Sequence, residues 1–534
     1  MATMLHCQLE RQEHQTPPSH HVIAAKTQAG WTSMLPSWGG ALQGANESSD
    51  SHESALEGSS GNKKEPGRIG RKATNKEADT TQKISGFRNP WPSWHKPSAM
   101  EVWQALEWGD DTDPCIEIAR KRAIRSPKPA TAQESADLKS NKSQAAALLR
   151  VTKPDFSYDA QHGQVKTTWL GHAGVLVQLA PLKQGDRPVR CLFDPMFSQR
   201  CSPTQTAGPI RSYPPPCKVE DLPPIDILLI SHNHYDHLDY DTILALEKRN
   251  PSNIQIFVPL GNRQWFLDSG ISPDRVFELD WWDKARITTS STGGNSLTVT
   301  CTPSQHNSGR TRTDGNATLW SSWYIEHSRS ADEVYRIFFA GDTGYQFHTS
   351  PGWPPAPPTS DMERKRVAAG TDDDSPTAKH PACPAFEEVT ALLGPPHLLL
   401  LPIAVGATFD YLRSMAPVPD SLNPIPRHSA GVTAANHMPP WDSVRLLNVM
   451  TSPAEGKTAG QTITENKTTV QWPVAVAMHW GTFVTDPVEV LKTLGQLEWA
   501  CEAHNVHFAR SMEEVDDDGR AIFLALNHGE SVLT

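Results

Sequence analysis

The sequence predicts a layered α/β (α+β) protein, and three observations carry that prediction. From about residue 163, short apolar runs rich in β-branched and aromatic residues alternate with polar turns. Helical periodicity directly follows two of these runs, as in "DILLIS" then "YDTILALEKR" and "IQIFVPL" then "GNRQWFLDSG". No repeated unit interrupts the series. Strands paired in sequence with helices interleaved give sheets covered by helices.

Taken in order, residues 1–84 are polar and lack sustained periodicity. A stretch such as "GANESSDSHESALEGSSGNKKEPGR" cannot offset its ordering entropy by burial, so 1–84 is expected to be a disordered tail with no catalytic role. Within 85–162, "GFRNPWPSWHKPSAMEVWQALEWGDD" places Met100, Trp103 and Leu106 at three-residue spacing behind a stiff Pro-Trp-Pro turn. That spacing predicts a short amphipathic helix in a strap packed on the core, with a lipid-facing role as the alternative. Residues 163–534 are expected to form the catalytic domain. There "TTWLGHAGVLVQLA", "RCLFDP", "SLTVTCTP", "TLWSSWYIEH" and "YRIFFAGD" read as further strands. Stretches at about 349–382, 414–427 and 452–470 read as inserted surface loops.

Composition narrows the function. A formal charge of -11 argues against a general nucleic-acid binder, which shows a basic excess or stripe. It leaves membrane contact open, because local patches decide that. The eight cysteines form no CxxC pair, which suits a reducing, intracellular setting. "MATMLHCQLERQEHQ" lacks the apolar core of a secretory signal, and the acid in "QLERQE" departs from a transit pattern, although a mitochondrial address is left open. "LLLLPIAV" is too short to span a bilayer. The chain is therefore expected in the cytosol or peripherally on membranes.

The chemistry concentrates in "SHNHYDHLD". His232 and His234 lie two apart at a strand end and share a face, while Asp236 and His237 are expected in the first turn of the helix that follows. Imidazole and carboxylate together suit zinc, iron or manganese. Four groups from so short a segment crowd one ion, whereas two ions about 3.5–4 Å apart can share them. His306 in "TPSQHNSGR", Asp342 in "RIFFAGDTGY" and His479 in "VAVAMHWGTF" also stand just past strands. One rim could gather all seven.

With these motifs in hand, the chain resembles the metallo-β-lactamase superfamily. More narrowly, "FRNPWPSW", "WLGHAGVLVQ", "FDPMFSQRCSPTQTAGPIRSYPPPC", "LDWW", "SQHNSGR", "FFAGDTGY" and "AMHWGTF" are similar to the N-acylphosphatidylethanolamine-hydrolysing phospholipases D. The resemblance covers roughly 86–534 apart from the insertions. It implies an αβ/βα sandwich with two zinc ions at the edge of the paired sheets. His232, His234 and His306 would hold one ion, Asp236, His237 and His479 the other, and Asp342 would bridge them. His428 in "PRHSAGVTAANH" would lie near the substrate phosphate, and His172 and Asp194 would support the ligands.

The implied reaction is hydrolysis of a membrane phospholipid to N-acylethanolamine and phosphatidate, by attack of a metal-activated hydroxide on phosphorus. Asp236, His428 or a metal-bound water is a candidate to protonate the leaving group. A homodimer on intracellular membranes is implied by the resemblance alone. "AVGATFDYLRSMAP" and Asn307 depart from the family's pattern, which affects substrate preference more than metal chemistry. The rivals are a lactonase-like or nuclease-like hydrolase on the same fold and a catalytically silent lipid-binding relative. The latter would be expected to have lost one of the seven ligand positions.

Overall fold

A computed structural model of the chain describes residues 5–13, 16–23, 84–109, 111–125, 140–158, 164–183, 185–249, 254–289, 295–330, 333–349, 353–358, 379–403, 424–428, 430–452, 472–484, 486–516 and 518–534. Most of the three expected insertions, and much of the apolar stretch at 403–415, lie outside the described residues.

Two sheets dominate. One has nine strands in the spatial order Leu5–Glu10, Lys284–Thr289, Ser296–Thr302, Ser322–Ser328, Val334–Phe339, Leu398–Pro402, Val474–Met478, Ile522–Leu524 and His507–Ala509. The other has seven, in the order Val276–Leu279, Gln255–Pro259, Ile227–Leu229, Val189–Phe193, Gly174–Leu179, Lys166–Gly171 and Ser531–Leu533. Each sheet contains a run of parallel strands: 189–193, 227–229, 255–259 and 276–279 in one, and 334–339, 398–402, 474–478 and 522–524 in the other.

The sequence explains the layering through period-2 burial. Val175 and Val177 point into a core shared with the nine-stranded sheet, while Leu176 between them faces the opposite layer. Phe193 stacks on Phe339 across the sheets, ring centroids 4.7 Å apart. The outer face of the seven-stranded sheet, with Leu192, Leu228 and Ile256, is covered by Ile243 and Leu246 of the helix Tyr240–Arg249 and by Phe266 of Arg263–Asp268. Helices Ala385–Leu393, Pro440–Thr451 and Pro487–Ala503 cover the nine-stranded sheet through Phe386, Val389, Leu447, Leu491 and Leu494. Because strands buried on both faces read as continuous apolar runs, "LLLLP" and "VAVAM" are strands here. This is the expected αβ/βα sandwich.

Three expectations need correction. The 1–84 segment is not wholly a tail: Leu5–Glu10 pairs antiparallel with Lys284–Thr289, and His21–Ile23 pairs with Ile84–Phe87. The alternation in "LHCQLE", with Leu5, Cys7 and Leu9 turned to the core, suits a sheet edge. Second, "TTWLGHAGVLVQLA" is two strands, broken by a turn at His172 and Ala173. Third, the strap helix, Ala99–Gln104, does not bury the stripe that predicts it. Met100 and Trp103 are 63% and 70% exposed, and Val102 and Ala105 pack instead on Phe347, Val432 and Ala435.

Candidate metal centre

Parallel strands bring loops to one rim at their carboxyl ends, where open α/β sheets place their sites. Strand 227–229 delivers His232, strand 334–339 delivers Asp342 and strand 474–478 delivers His479. His306 arrives from the loop after strand 296–302 and His172 from the turn after strand 166–171. The loops are tied to one another. Gln305 N–H donates to Thr343 Oγ1 at 2.9 Å, Gly344 N–H to the Gln305 carbonyl at 2.7 Å, and His479 N–H to the His172 carbonyl at 2.9 Å. Gly341, at φ +60°, lets the chain pass where a Cβ would sit 2.6 Å from Ser231 Cβ, which brings Asp342 against the histidine motif.

The side chains form two adjoining groups. His232 Nε2 lies 2.8 Å from His234 Nδ1, which lies 3.3 Å from His306 Nε2, and Asp342 completes this group. His172, Asp236, His237 and His479 form the other. Asp342 faces both: its Oδ2 is 3.1 Å from His237 Nε2 and 3.7 Å from His306 Nε2, and its Oδ1 is 2.9 Å from His479 Nε2. All seven expected ligands are therefore brought together.

A ring of polar contacts fixes their orientation. Asp194 Oδ2 accepts from His237 Nδ1 at 2.7 Å and from Ser231 Oγ at 2.5 Å, and Ser231 Oγ is 2.9 Å from His232 Nδ1. His306 Nδ1 donates to the Asn436 carbonyl at 3.0 Å, and His172 Nε2 is 2.9 Å from Asp236 Oδ2. These contacts leave Nε2 of His232, His237 and His306 facing inward. His172, Asp194 and His479 all hold left-handed backbone (φ 50°, 36° and 61°), strain that the surrounding contacts sustain at this rim.

The charge state suits a cation. Burial, reinforced by the neighbouring His237, holds His232 well below its ordinary pKa, and burial does the same for His306. Burial alone would raise the carboxyls of Asp236 and Asp342, yet His237 and the other imidazoles hold both well below the usual range. His237 Nε2, His479 Nε2 and Asp342 Oδ1 are buried without a hydrogen bond, although each imidazole nitrogen stands within 3.1 Å of an Asp342 oxygen. Buried imidazole nitrogens left without a hydrogen bond beside ionised carboxylates are what a divalent ion satisfies on displacing their protons, so these residues fit a metal.

The structure adds a residue that the sequence reading passed over. His437 is partly buried, with Nδ1 3.8 Å from Asp342 Oδ2 and its ring 5.1 Å from that of His306. Burial pushes it down to about 4. The available signal was its place in "NHMPPW", one residue after Asn436 and just before the helix that starts at Pro440. His428 contributes backbone pairing to Leu106, and its side chain lies outside the described residues.

Residues 189–350 match the family described as a beta-lactamase superfamily domain. The chain is 41% identical over 181 residues to N-acyl-phosphatidylethanolamine-hydrolyzing phospholipase D 1 of Caenorhabditis elegans, covering 33% of this chain and 46% of the relative. It is 37% identical over 205 residues to an uncharacterized protein of Mycobacterium tuberculosis, covering 38% and 48%. It is 33% identical over 181 residues to the mitochondrial N-acyl-phosphatidylethanolamine-hydrolyzing phospholipase D of Saccharomyces cerevisiae, covering 34% and 35%. The matches thus span half or less of the length of these curated relatives. Residues 189–350 thus resemble a beta-lactamase superfamily domain, and part of the chain is similar to the N-acyl-phosphatidylethanolamine-hydrolyzing phospholipases D of nematode and yeast.

Proposed function

We propose that the chain is a metal-dependent phosphodiesterase of the phospholipase D type, hydrolysing N-acylphosphatidylethanolamine to N-acylethanolamine and phosphatidate at a centre of two zinc ions. The observation that carries the hydrolytic reading is Asp342, a buried carboxylate standing between two sets of donors. Similarity to the nematode and yeast phospholipases supports the substrate.

In this reading His232, His234 and His306 would hold one ion and Asp236, His237 and His479 the other, with Asp342 serving both groups. When bound, the ions supply a water of lowered pKa and neutralise charge on phosphoryl oxygens. The chain's own residues do the rest. His172 holds Asp236 in place, and Asp194 keeps the Nε2 lone pair of His237 turned inward. His437, neutral at working pH, is a further imidazole we assign to the substrate phosphate beside His428, as a hydrogen-bond donor next to the reacting group. Asp236, ionised at rest, is retained as a candidate to take the proton of the attacking water and pass it to the leaving alkoxide.

A membrane-bound substrate needs an apolar approach. Met100, Trp103 and Trp108 stand 63%, 70% and 63% exposed on the strap, whose inner face packs on the Val432–Ala435 turn leading to His437. Such a patch supports peripheral docking on intracellular membranes, and the mitochondrial name of the yeast relative supports that address. No helix among the described residues is long and apolar enough to cross a bilayer.

The decisive experiment is mass spectrometry of products from N-acylphosphatidylethanolamine, with Asp342→Asn alongside. Wild type is expected to release phosphatidate and N-acylethanolamine, and the variant to lose on the order of a thousandfold or more in rate, several kcal/mol of barrier. No products from wild type carrying two ions in the rim would overturn the substrate. Trp103→Ala is expected to weaken binding to phospholipid vesicles severalfold while leaving hydrolysis of detergent-dispersed lipid intact. Unchanged vesicle binding would remove the docking role.

A further inference from the structure

A second convergence of metal-binding side chains lies where the N-terminal segment meets the sheets, and it shares no residue with the rim. His20 Nε2 is 2.7 Å from Asp280 Oδ1, and His21 Nε2 is 2.8 Å from Asp280 Oδ2. All three side chains are about nine-tenths buried, at 7%, 8% and 11% exposure. We propose that His20, His21 and Asp280 form a separate structural site for a borderline divalent cation such as zinc.

These atoms satisfy one another only in part. His20 meets its carboxylate oxygen in an aligned hydrogen bond. The His21 nitrogen, equally close to the other oxygen, makes none and is buried. The same pattern marks the rim, where His237 Nε2 and His479 Nε2 sit 3.1 and 2.9 Å from Asp342 without hydrogen bonds. In both places a buried imidazole nitrogen stands close to a carboxylate oxygen without being aligned on it. Two imidazoles and a carboxylate, with water in a fourth position, make a tetrahedral set for zinc, and the nitrogens exclude magnesium and calcium as preferred occupants. Donors around such an ion stand about 3.3 Å apart, so the pairs need to open by only about 0.5 Å.

The surroundings are built to hold the donors still. His20 stacks on Trp281 at 4.2 Å, Trp91 stacks on the same indole at 5.3 Å, and His21 meets the Phe87 ring edge-on at 5.5 Å. Asp280 Oδ1 also accepts the Trp281 N–H at 2.8 Å. An ion here would clamp the 16–23 segment to the end of strand 276–279. From there the strap continues to the rim, where Asn89 donates to the His306 carbonyl at 2.7 Å and accepts its N–H at 3.2 Å.

The proposal does not depend on the substrate, and counting ions tests it. Tag-free full chain, equilibrated with zinc-buffered solution, is expected to retain three zinc ions per chain by mass spectrometry. His21→Ala and Asp280→Asn are each expected to retain two, with the melting temperature lowered and lipid hydrolysis by His21→Ala within about twofold of wild type. A wild type that holds only two ions, or a His21→Ala variant that still holds three, overturns the site. Should the variants fail to fold, wild type decides alone through a cobalt titration. A third equivalent with visible bands of a four-coordinate nitrogen–oxygen site supports the proposal, and saturation at two equivalents refutes it.

Discussion

The two halves of the proposed centre each gather three side chains around Asp342 but hold them in different ways. The His232–His234–His306 half is a set of neutral lone pairs, with burial keeping His232 and His306 well below their ordinary pKa. Its supports are uncharged too, the Ser231 hydroxyl on His232 and the Asn436 carbonyl on His306. The Asp236–His237–His479 half carries the charge. Despite burial, Asp342 and Asp236 hold His479 raised, to about 9, so without an ion this half gathers protons where a cation's charge would go. Its supports are ionisable: Asp194 on His237 and His172 on Asp236. One half is shaped by desolvation and the other by charge, and Asp342 joins them.

Asp342→Asn strikes both halves and sets the ceiling of the expected effects. The sharpest test of the difference is Asp194→Asn. Burial pushes this carboxyl above its ordinary value, while His237 and Ser231 donate to it. The amide keeps the shape but can turn an N–H toward His237 Nδ1, which unsettles the tautomer that faces the ion. Losing such a support typically costs 10–100-fold in metal affinity. Competition against a chromophoric chelator is expected to show that loss chiefly in one of two binding steps. Two unchanged steps would mean that Asp194 does not organise the charged half.

How much of this was readable from sequence depends on chain distance. His232, His234, Asp236 and His237 announce themselves because a strand end and the next turn hold them within six positions. His306, Asp342 and His479 are legible one by one, each just past an apolar strand. His437 stands just past no apolar strand, and its one local mark is its place in "NHMPPW" before the helix that starts at Pro440. The strap misleads for another reason. Its short helix offers two apolar pairs three apart, Met100–Trp103 and Val102–Ala105, and spacing cannot say which one faces Phe347 and Val432. At the N-terminus, "LHCQLE" alternates as a strand should, but the polar sequence after it conceals that its partner, 284–289, is nearly 280 residues away.

The smallest expected effect isolates the uncharged half. Ser231 Oγ donates to Asp194 Oδ2 and lies within hydrogen-bond reach of His232 Nδ1, so it relays the aspartate's hold to a single ligand. His237 reaches Asp194 directly and does not need the relay. Ser231→Ala removes the hydroxyl from a fully buried spot against Gly341 and leaves His232 Nδ1–H without its acceptor. Asp194 keeps its other two donors, the backbone N–H at position 231 and the His237 ring. An unpaired neutral donor of this kind costs about 1–3 kcal/mol, and a modest rotation of the ring can recover part of it. A loss of a few-fold to tenfold in affinity is therefore expected for the three-histidine step, with the other step unmoved. If both steps fall together, the halves are one cooperative unit and the distinction between desolvation and charge does not survive at the level of binding. If only the charged step falls, Ser231 acts through Asp194 alone, and His232 takes its orientation from packing against His234 and His306 instead.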